Sequence, residues 1–195
     1  MKIILYKINR KIKWFYRIFL SWIYSYGLES AGHRPYFGKD TVILGMKNIT
    51  IGDNFIINDR SRVTAVDSNG SERFNPKIRI GNNVTINYDC HIAAINLVEI
   101  GNNVLFASRI YISDHNHGTT SFADMKLPPV LRPVVSKGPV IIGDNVWIGE
   151  GAVILANVTV GNNSIIAANA VVTRNVPAFS VAAGVPAQII KKVMS

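Results

Sequence analysis

Residues 141–172, IIGDNVWIGEGAVILANVTVGNNSIIAANAVV, carry an aliphatic side chain at every sixth position. These positions are Ile142, Ile148, Ile154, Val160, Ile166 and Val172. A helix repeats every 3.6 residues and a strand every two, so neither places only every sixth residue on one buried line. A coil of three short strands does so when each strand turns one aliphatic side chain inward. The stretch therefore predicts an all-β fold, a parallel β-helix solenoid.

The same repeat occurs upstream in separate runs. The runs are Ile51, Ile57 and Val63, then Ile80, Ile86, Ile92 and Val98, and, after a shift of two residues, Ile100, Phe106 and Ile112. The related motifs IGDN, IGNN and VGNN recur along these runs and into the 141–172 stretch. Separate strands in an ordinary sandwich would alternate with a period of two, which does not describe residues 142–172.

Composition limits the class of protein. The chain has 195 residues, of which 48% are hydrophobic and 17% charged, and this indicates one packed domain with an appendage. The single cysteine, Cys90, excludes an internal disulfide framework and favours a reducing compartment, so we expect a cytoplasmic protein. No long stretch of consecutive apolar residues predicts a transmembrane span.

Residues 1–28 form a basic segment that precedes the predicted β-helix domain at residues 29–192. Its cations are Lys2, Lys7, Arg10, Lys11, Lys13 and Arg17, and it contains no acidic residue. Apolar residues spaced by three or four lie between the cations, which predicts an amphipathic helix. Trp and Tyr residues are concentrated in its second half.

Two interpretations of the 1–28 segment stay open. It caps the apolar end of the solenoid, or it makes a peripheral contact with the inner face of a membrane, and one helix can do both. Each basic residue near an anionic surface contributes about 1 kcal/mol. A signal peptide fits poorly, because the aromatic residues are unusual for its apolar region and no small-residue cleavage site follows. No nucleic-acid partner is expected, although the net charge is +9, because the cations beyond residue 28 are scattered.

Two interruptions of the repeat are candidate locations for functional residues. Residues 65–77 are polar and contain Gly and Pro, and the inserted loop at residues 113–139 is longer and contains four prolines. Insertions of this length in a compact domain are commonly functional. The longer loop contains Asp114-His115-Asn116-His117-Gly118. Histidine exchanges protons near neutral pH, so this loop is the candidate site of a general base.

Four stretches together resemble the hexapeptide-repeat acyltransferases. They are VWIGEGAVIL at 146–155, VVTRNVPAFSVAAGVPAQIIKK at 171–192, INYDCHIAAINLVEIG at 86–101 and ISDHNHG at 112–118. The nearest branch is similar to maltose and galactoside O-acetyltransferases and to enzymes that O-acetylate bacterial surface polysaccharides. The resemblance implies a left-handed β-helix, a homotrimer, acetyl-CoA in a groove between neighbouring coils, and no metal. It also implies direct acetyl transfer to a sugar acceptor with a histidine as general base.

The resemblance also implies roles for individual residues. The base of the family lies sixteen residues after the Gly of the preceding repeat, which here is Gly101, and this favours His117 over His115 as the base. His115 would orient the base or touch the substrate. An Asn fourteen residues before the same Gly corresponds to Asn87, which would position the acceptor hydroxyl or the histidine. The predicted acetyl-CoA contacts are Trp147, Ala168, Thr173, Arg174 and Lys191.

Several functions remain as hypotheses at this point. The first is O-acetylation of a sugar in a bacterial surface-polysaccharide precursor, such as O-antigen, capsule or exopolysaccharide. N-acetylation of a nucleotide-linked amino sugar is the alternative within the same fold. A zinc enzyme of the carbonic-anhydrase type would require three histidine ligands, and the spacing of the four histidines does not match that pattern. A non-catalytic β-helix scaffold is the remaining class, and the loop histidines argue against it.

Overall fold

The chain folds into a three-sided solenoid of short parallel strands in the computed structural model, which describes residues 15–16 and 18–193. The first sheet contains Ser30–Ala31, Ile49–Ile51, Lys77–Ile80, Leu97–Ile100, Val140–Ile142 and Val158–Val160. The second contains Tyr36–Phe37, Ile56–Ile57, Thr85–Ile86, Leu105–Phe106, Trp147–Ile148, Ile165–Ile166, Ser180–Gly184 and Ala187–Lys192. The third contains Val42–Leu44, Arg62–Ala65, His91–Ala94, Tyr111–Ser113, Val153–Ile154 and Val171–Val172. The predicted fold class, an all-β left-handed parallel β-helix, is confirmed.

The six-residue repeat forms the interior of the solenoid. Each coil passes once through the three sheets and pairs with the coils on either side; Phe106, for example, pairs with Ile86 and Ile148. The repeat side chains of residues 142–172 point inward and are buried. Burial of this apolar column supplies the main driving force for folding, because each removed square ångström of apolar surface contributes about 25 cal/mol.

Coils of two lengths explain the shift of the repeat after Val98. Asn82 contacts Asn102 twenty residues later in the chain, whereas Asp144 contacts Asn162 only eighteen later. The longer coil contains the four-residue strand His91–Ala94 in the third sheet, whereas the strand Val153–Ile154 of a later coil has two residues. The two extra residues lie between the third and first sheets, so Ile100, and not Val98, is in register with Ile142.

The recurring Asn of the repeat forms a ladder along one corner. Asn83, Asn103 and Asn145 each have a positive φ near 56°, a region that Asn enters more readily than most residues. The side-chain amide of Asn83 donates to the Oδ1 of Asn103 at 2.9 Å, and that of Asn103 donates to Asn145 at 3.0 Å. The Asn of each repeat therefore permits the corner turn and links it to the next coil.

Both polar insertions leave the solenoid from the corner between the third and first sheets. The shorter contains the hairpin of Ser68–Asn69 and Glu72–Arg73. The longer contains an antiparallel pair, His115–His117 with Val134–Ser136, the α-helix Phe122–Lys126 and the 3-10 helix Pro129–Leu131. A second 3-10 helix is Met46–Asn48. The backbone N–H of Val134 donates to Glu72 Oε2 at 3.3 Å, so the two insertions contact each other.

Residues 15–16 and 18–27 are helical and pack at the beginning of the solenoid. The Tyr24 hydroxyl donates to the carbonyl of Thr41 at 2.7 Å, and its ring centroid lies 4.8 Å from that of Phe37. The predicted helix over residues 1–28 falls largely outside the described residues, which exclude 1–14 and 17. The predicted boundary between this helix and a β-helix domain at residues 29–192, which includes the inserted loop 113–139, stays a prediction. Within the described part of the chain, no helix combines the length and apolar character needed to span a membrane.

Candidate active site

Asp114 and His115 lie where the third sheet gives way to the long insertion. Asp114 is fully buried, and its two carboxylate oxygens accept the backbone N–H groups of Ile95 and Asn96 at 3.0 and 2.8 Å. The same carboxylate lies 2.9 Å from Nδ1 of His115, and the Ser113 hydroxyl lies 3.2 Å from that nitrogen. A carboxylate beside Nδ1 keeps the proton there and leaves Nε2 as the basic nitrogen. The arrangement is therefore that of an oriented general base.

His117 lies on the same short strand but in a different environment. It is exposed, and its backbone is in register with Val134. The described residues give its side chain no hydrogen-bond partner, whereas the His115 ring is held by Asp114. Counting along the sequence favours His117 as the base, and this preference stays a prediction. The geometry of a single chain favours His115.

Asn87 lies at a different corner of the solenoid from the two loop histidines. It follows the second-sheet strand Thr85–Ile86, whereas His115 follows a strand of the third sheet. Its amide donates to the carbonyl of Phe106 at 2.9 Å, and its Oδ1 accepts from Asn58 at 3.0 Å. One chain therefore does not bring Asn87 together with the histidines, and in this environment the amide links neighbouring coils.

Two of the five predicted acetyl-CoA contacts share one face. Trp147 points outward from the second sheet and is 50% exposed. It is in register with Ile165, which pairs with Val181, and Val181 pairs with Lys191. Neighbouring strands lie about 4.8 Å apart, so Trp147 and Lys191 are separated by about 14 Å along this face.

The other three predicted contacts lie at turns. Ala168 is exposed in the turn between the second and third sheets, beside the face that carries Trp147. Thr173 and Arg174 are exposed beyond the third sheet, in the turn that leads back towards the first sheet. The structure thus groups Trp147, Ala168 and Lys191 and places Thr173 and Arg174 at a separate corner.

Sequence reasoning missed His91, which the structure places on the outer face of the third sheet. Its Nδ1 lies 3.1 Å from Nη2 of Arg62, and its ring meets the edge of Tyr111 at a centroid distance of 5.4 Å. Burial, together with the charges of Arg62 and His115, lowers the pKa of His91 to about 4. His91 is therefore neutral near pH 7 and lies close enough to His115 for the two rings to interact electrostatically.

Cys90 is not a candidate nucleophile. The side chain is buried between coils, and burial raises the pKa of its thiol to about 11. Thiolate is the reactive form of cysteine, so this thiol is unreactive at neutral pH. Among residues 15–16 and 18–193, no three His, Cys, Asp or Glu side chains are grouped closely enough to hold a metal ion.

The low pKa of His91 predicts a pH-dependent stability. The unfolded chain takes up a proton on His91 near pH 6.5, whereas the folded chain resists it down to about pH 4. The unfolded state therefore binds more protons in this window, and the contribution of His91 to the free energy of unfolding is lost as pH falls from 6.5 to 4. Urea titrations of the wild type and His91→Gln across this range should show a smaller pH slope for the variant. Equal slopes would contradict the prediction.

Comparison with known proteins identifies the repeat and its relatives. Residues 139–174 match the family described as bacterial transferase hexapeptide (six repeats). A putative lipopolysaccharide biosynthesis O-acetyl transferase, WbbJ of Escherichia coli, is 38% identical over 119 residues, which cover 59% of this chain and 60% of WbbJ. The galactoside O-acetyltransferase of the same organism is 36% identical over 125 residues, covering 62% of this chain and 56% of the relative. The matched part therefore spans less than two thirds of the length of these relatives.

The fold also occurs in a solved structure. AntD, an N-acyltransferase from Bacillus cereus in complex with dTDP and 3-hydroxybutyryl-CoA, superposes with a TM-score of 0.68. It is 20% identical, and the match covers 88% of this chain and 87% of AntD. The chain thus carries the hexapeptide repeat of bacterial transferases, and the predicted resemblance to the hexapeptide-repeat acyltransferases is confirmed.

Proposed function

We propose that the protein is an acetyl-CoA-dependent O-acetyltransferase that modifies a sugar hydroxyl of a bacterial surface-polysaccharide precursor. The observation that carries the proposal is the buried Asp114 carboxylate, which orients His115 and leaves its Nε2 as the basic nitrogen. The named relatives support acetyl transfer, and WbbJ supports a polysaccharide acceptor. The buried, protonated Cys90 supports direct transfer without an acyl-enzyme.

His115 would act on the acceptor as a general base. The acceptor oxygen attacks the carbonyl carbon of the acetyl thioester while Nε2 of His115 takes the hydroxyl proton. A carbon–oxygen ester bond forms and the carbon–sulfur bond breaks. The imidazolium, stabilised by Asp114, then returns its proton to the departing thiolate. The histidine ends the cycle neutral, and atoms and charge balance.

The direct test measures thiol release with acetyl-CoA and a panel of acceptors. Free hexoses, nucleotide-linked sugars and amino sugars are compared, and the product is analysed by mass spectrometry. Ester formation on a hydroxyl is the expected result. Amide formation on the amino sugars alone would replace O-acetylation with the N-acetylation alternative. Thiol release no faster than in enzyme-free buffer with every acceptor would contradict acetyl transfer.

For acetyl-CoA we propose the outer face of the second sheet, where Trp147 and Lys191 lie in one row with Ala168 beside it. The indole would pack on the pantetheine arm, and Lys191 would meet a phosphate. Thr173 and Arg174 stay predicted contacts, and in a single chain they lie at a separate corner.

Replacement of Trp147 by alanine should raise the Kd for CoA about tenfold, because an aromatic packing surface of this size contributes about 1.4 kcal/mol. Isothermal titration with CoA measures the change. Leu105→Ala is the matched control, because Leu105 is exposed on the next strand of the same face, on the side away from Lys191. An unchanged Kd for Trp147→Ala, or an equal change in both variants, would remove the indole from the site.

We also propose that the active unit is a homotrimer. In one chain Asn87 and His115 lie at different corners, and a second copy placed beside the first can bring one copy's Asn87 towards the other's histidines. Sedimentation equilibrium should give three times the mass of 21.5 kDa. A monomer at assay concentration that retains full activity would exclude this assembly.

The N-terminal segment is proposed as a peripheral membrane contact as well as a cap. Tyr24 packs on the first coil, whereas Trp22 and Tyr26 on the same helical stretch are 66% and 87% exposed. The cations of residues 1–28 would complement an anionic surface. The full chain should co-sediment with vesicles of anionic phospholipid more than with phosphatidylcholine vesicles. Equal recovery on both would contradict the electrostatic contact.

A further inference from the structure

Three aromatic or cationic side chains form a row on the outer face of the third sheet. Arg62, His91 and Tyr111 occupy successive strands and are in direct register. With strands about 4.8 Å apart, the row is about 10 Å long. It lies directly beside Ser113, whose hydroxyl contacts His115. The row therefore adjoins the proposed general base.

The Arg62–His91 contact fixes the chemical state of both groups. A guanidinium has no acceptor atom, so at 3.1 Å its Nη2 donates and the Nδ1 of His91 accepts. His91 then carries its proton on Nε2 and presents a donor. The low pKa of His91, about 4, agrees with this neutral tautomer. The row thus contains one cation and one neutral donor.

Arg62 differs from Arg60, Arg79 and Arg109, three arginines on the surface of the solenoid that pair with carboxylates. Arg60 pairs with Asp89 through two hydrogen bonds of 2.7 and 2.8 Å, Arg109 pairs with Glu150, and Arg79 pairs with Glu99 at 3.6 Å. Over residues 15–16 and 18–193, Arg62 has no acidic partner. It is exposed, and its one side-chain contact is with an uncharged ring. Its positive charge is held in place but is not neutralised.

We propose that Arg62 and His91 bind a phosphate group of the acceptor, so that the substrate is a phosphorylated sugar. This inference rests on the proposed function. A guanidinium and an imidazole N–H offer several donors that suit phosphate oxygens. Tyr111 provides an aromatic surface for the attached sugar or base. The phosphate takes no part in the reaction; it anchors the acceptor while a hydroxyl on the sugar reaches His115.

The first experiment separates the acceptor subsite from general charge effects. Arg62→Gln should raise KM for a sugar diphosphate about 10-fold to 100-fold, as expected for loss of a charged hydrogen bond, with KM for acetyl-CoA unchanged. Arg79→Gln removes the same charge from the first sheet and should leave both constants unchanged. With a free, unphosphorylated sugar as acceptor, Arg62→Gln should equal the wild type. Equal effects on phosphorylated and free sugars, or no effect on either, would overturn the subsite.

The source of the phosphate is resolved by two acceptor arms. One arm uses a nucleoside-diphosphate sugar and the other a short-chain polyprenyl-diphosphate sugar. If Arg62→Gln lowers kcat/KM for only one of the two acceptors, that acceptor identifies the carrier. If it lowers kcat/KM for both, the protein recognises the diphosphate alone. If neither arm depends on Arg62, the proposal fails.

A binding measurement keeps this proposal distinct from the proposed enzyme activity. Inorganic pyrophosphate is titrated calorimetrically into the wild type, Arg62→Gln and Arg79→Gln. The wild type and Arg79→Gln should bind it, and Arg62→Gln should lose binding at least tenfold. This result supports the phosphate site even if no acetyl transfer is found. Equal binding by all three proteins would overturn the site while leaving acetyl transfer untouched.

Discussion

Replacement of His115 by alanine is expected to lower kcat about 10²-fold to 10⁴-fold, the range for loss of a general base. The KM for acetyl-CoA should change little, because the side chain acts on the acceptor hydroxyl and not on the thioester arm. The measurement is steady-state thiol release with the best acceptor of the panel. The His115 ring is partly buried, so its removal should leave the fold intact, and circular dichroism checks this.

His117→Ala is the matched comparison, because it removes the same side chain two residues away on the same strand. The hydrogen bond of His115 to Asp114 predicts a smaller loss for His117→Ala than for His115→Ala. A loss confined to His117→Ala would return the base to the position that sequence counting favours. Full activity of both variants would show that neither loop histidine acts as the general base.

Asp114→Asn tests how the base is held. The amide keeps the size of the carboxylate and can accept a backbone N–H, but it removes the charge that fixes the tautomer of His115. Activity should fall, because the amide no longer holds the proton on Nδ1 of His115 and the basic Nε2 is lost in the other tautomer. Unchanged activity, measured as thiol release, would mean that Asp114 serves only the turn at Ile95 and Asn96.

The fold was predictable from sequence because one physical signal repeats throughout it. An inward aliphatic side chain at every sixth residue fits few folds. The run from Ile142 to Val172 is long enough to distinguish a three-sided coil from a helix or an alternating strand. The two-residue shift at Val98 also had a structural meaning, a longer coil, but its location required the strand register. The corner role of the Asn residues follows from their tolerance of positive φ.

The candidate site was predictable only in part. The long insertion with its two histidines could be identified from its break in the repeat. The contact of Asp114 with His115 could not be separated from a turn role, because both give the same local sequence. His91 was missed because it occupies an ordinary outward position of a repeat. Its contact with Arg62 spans twenty-nine residues and the first insertion, and it depends on a register that local sequence does not encode.

Phe106→Ala is expected to lower the free energy of unfolding by about 3–5 kcal/mol, the usual cost of removing a phenyl ring from a packed core. The ring is fully buried, and its backbone pairs with Ile86 and Ile148 in the coils on either side. In a solenoid each coil contacts only its neighbours, so no distant element can move in to fill the cavity. Leu105→Ala is the control, since Leu105 is adjacent in the chain but 44% exposed, and it should cost less than about 1 kcal/mol. Urea unfolding followed by circular dichroism measures both. Equal losses for the two variants would mean that the line of sixth residues does not carry the stability of the coil, because its largest member would then contribute no more than a surface leucine.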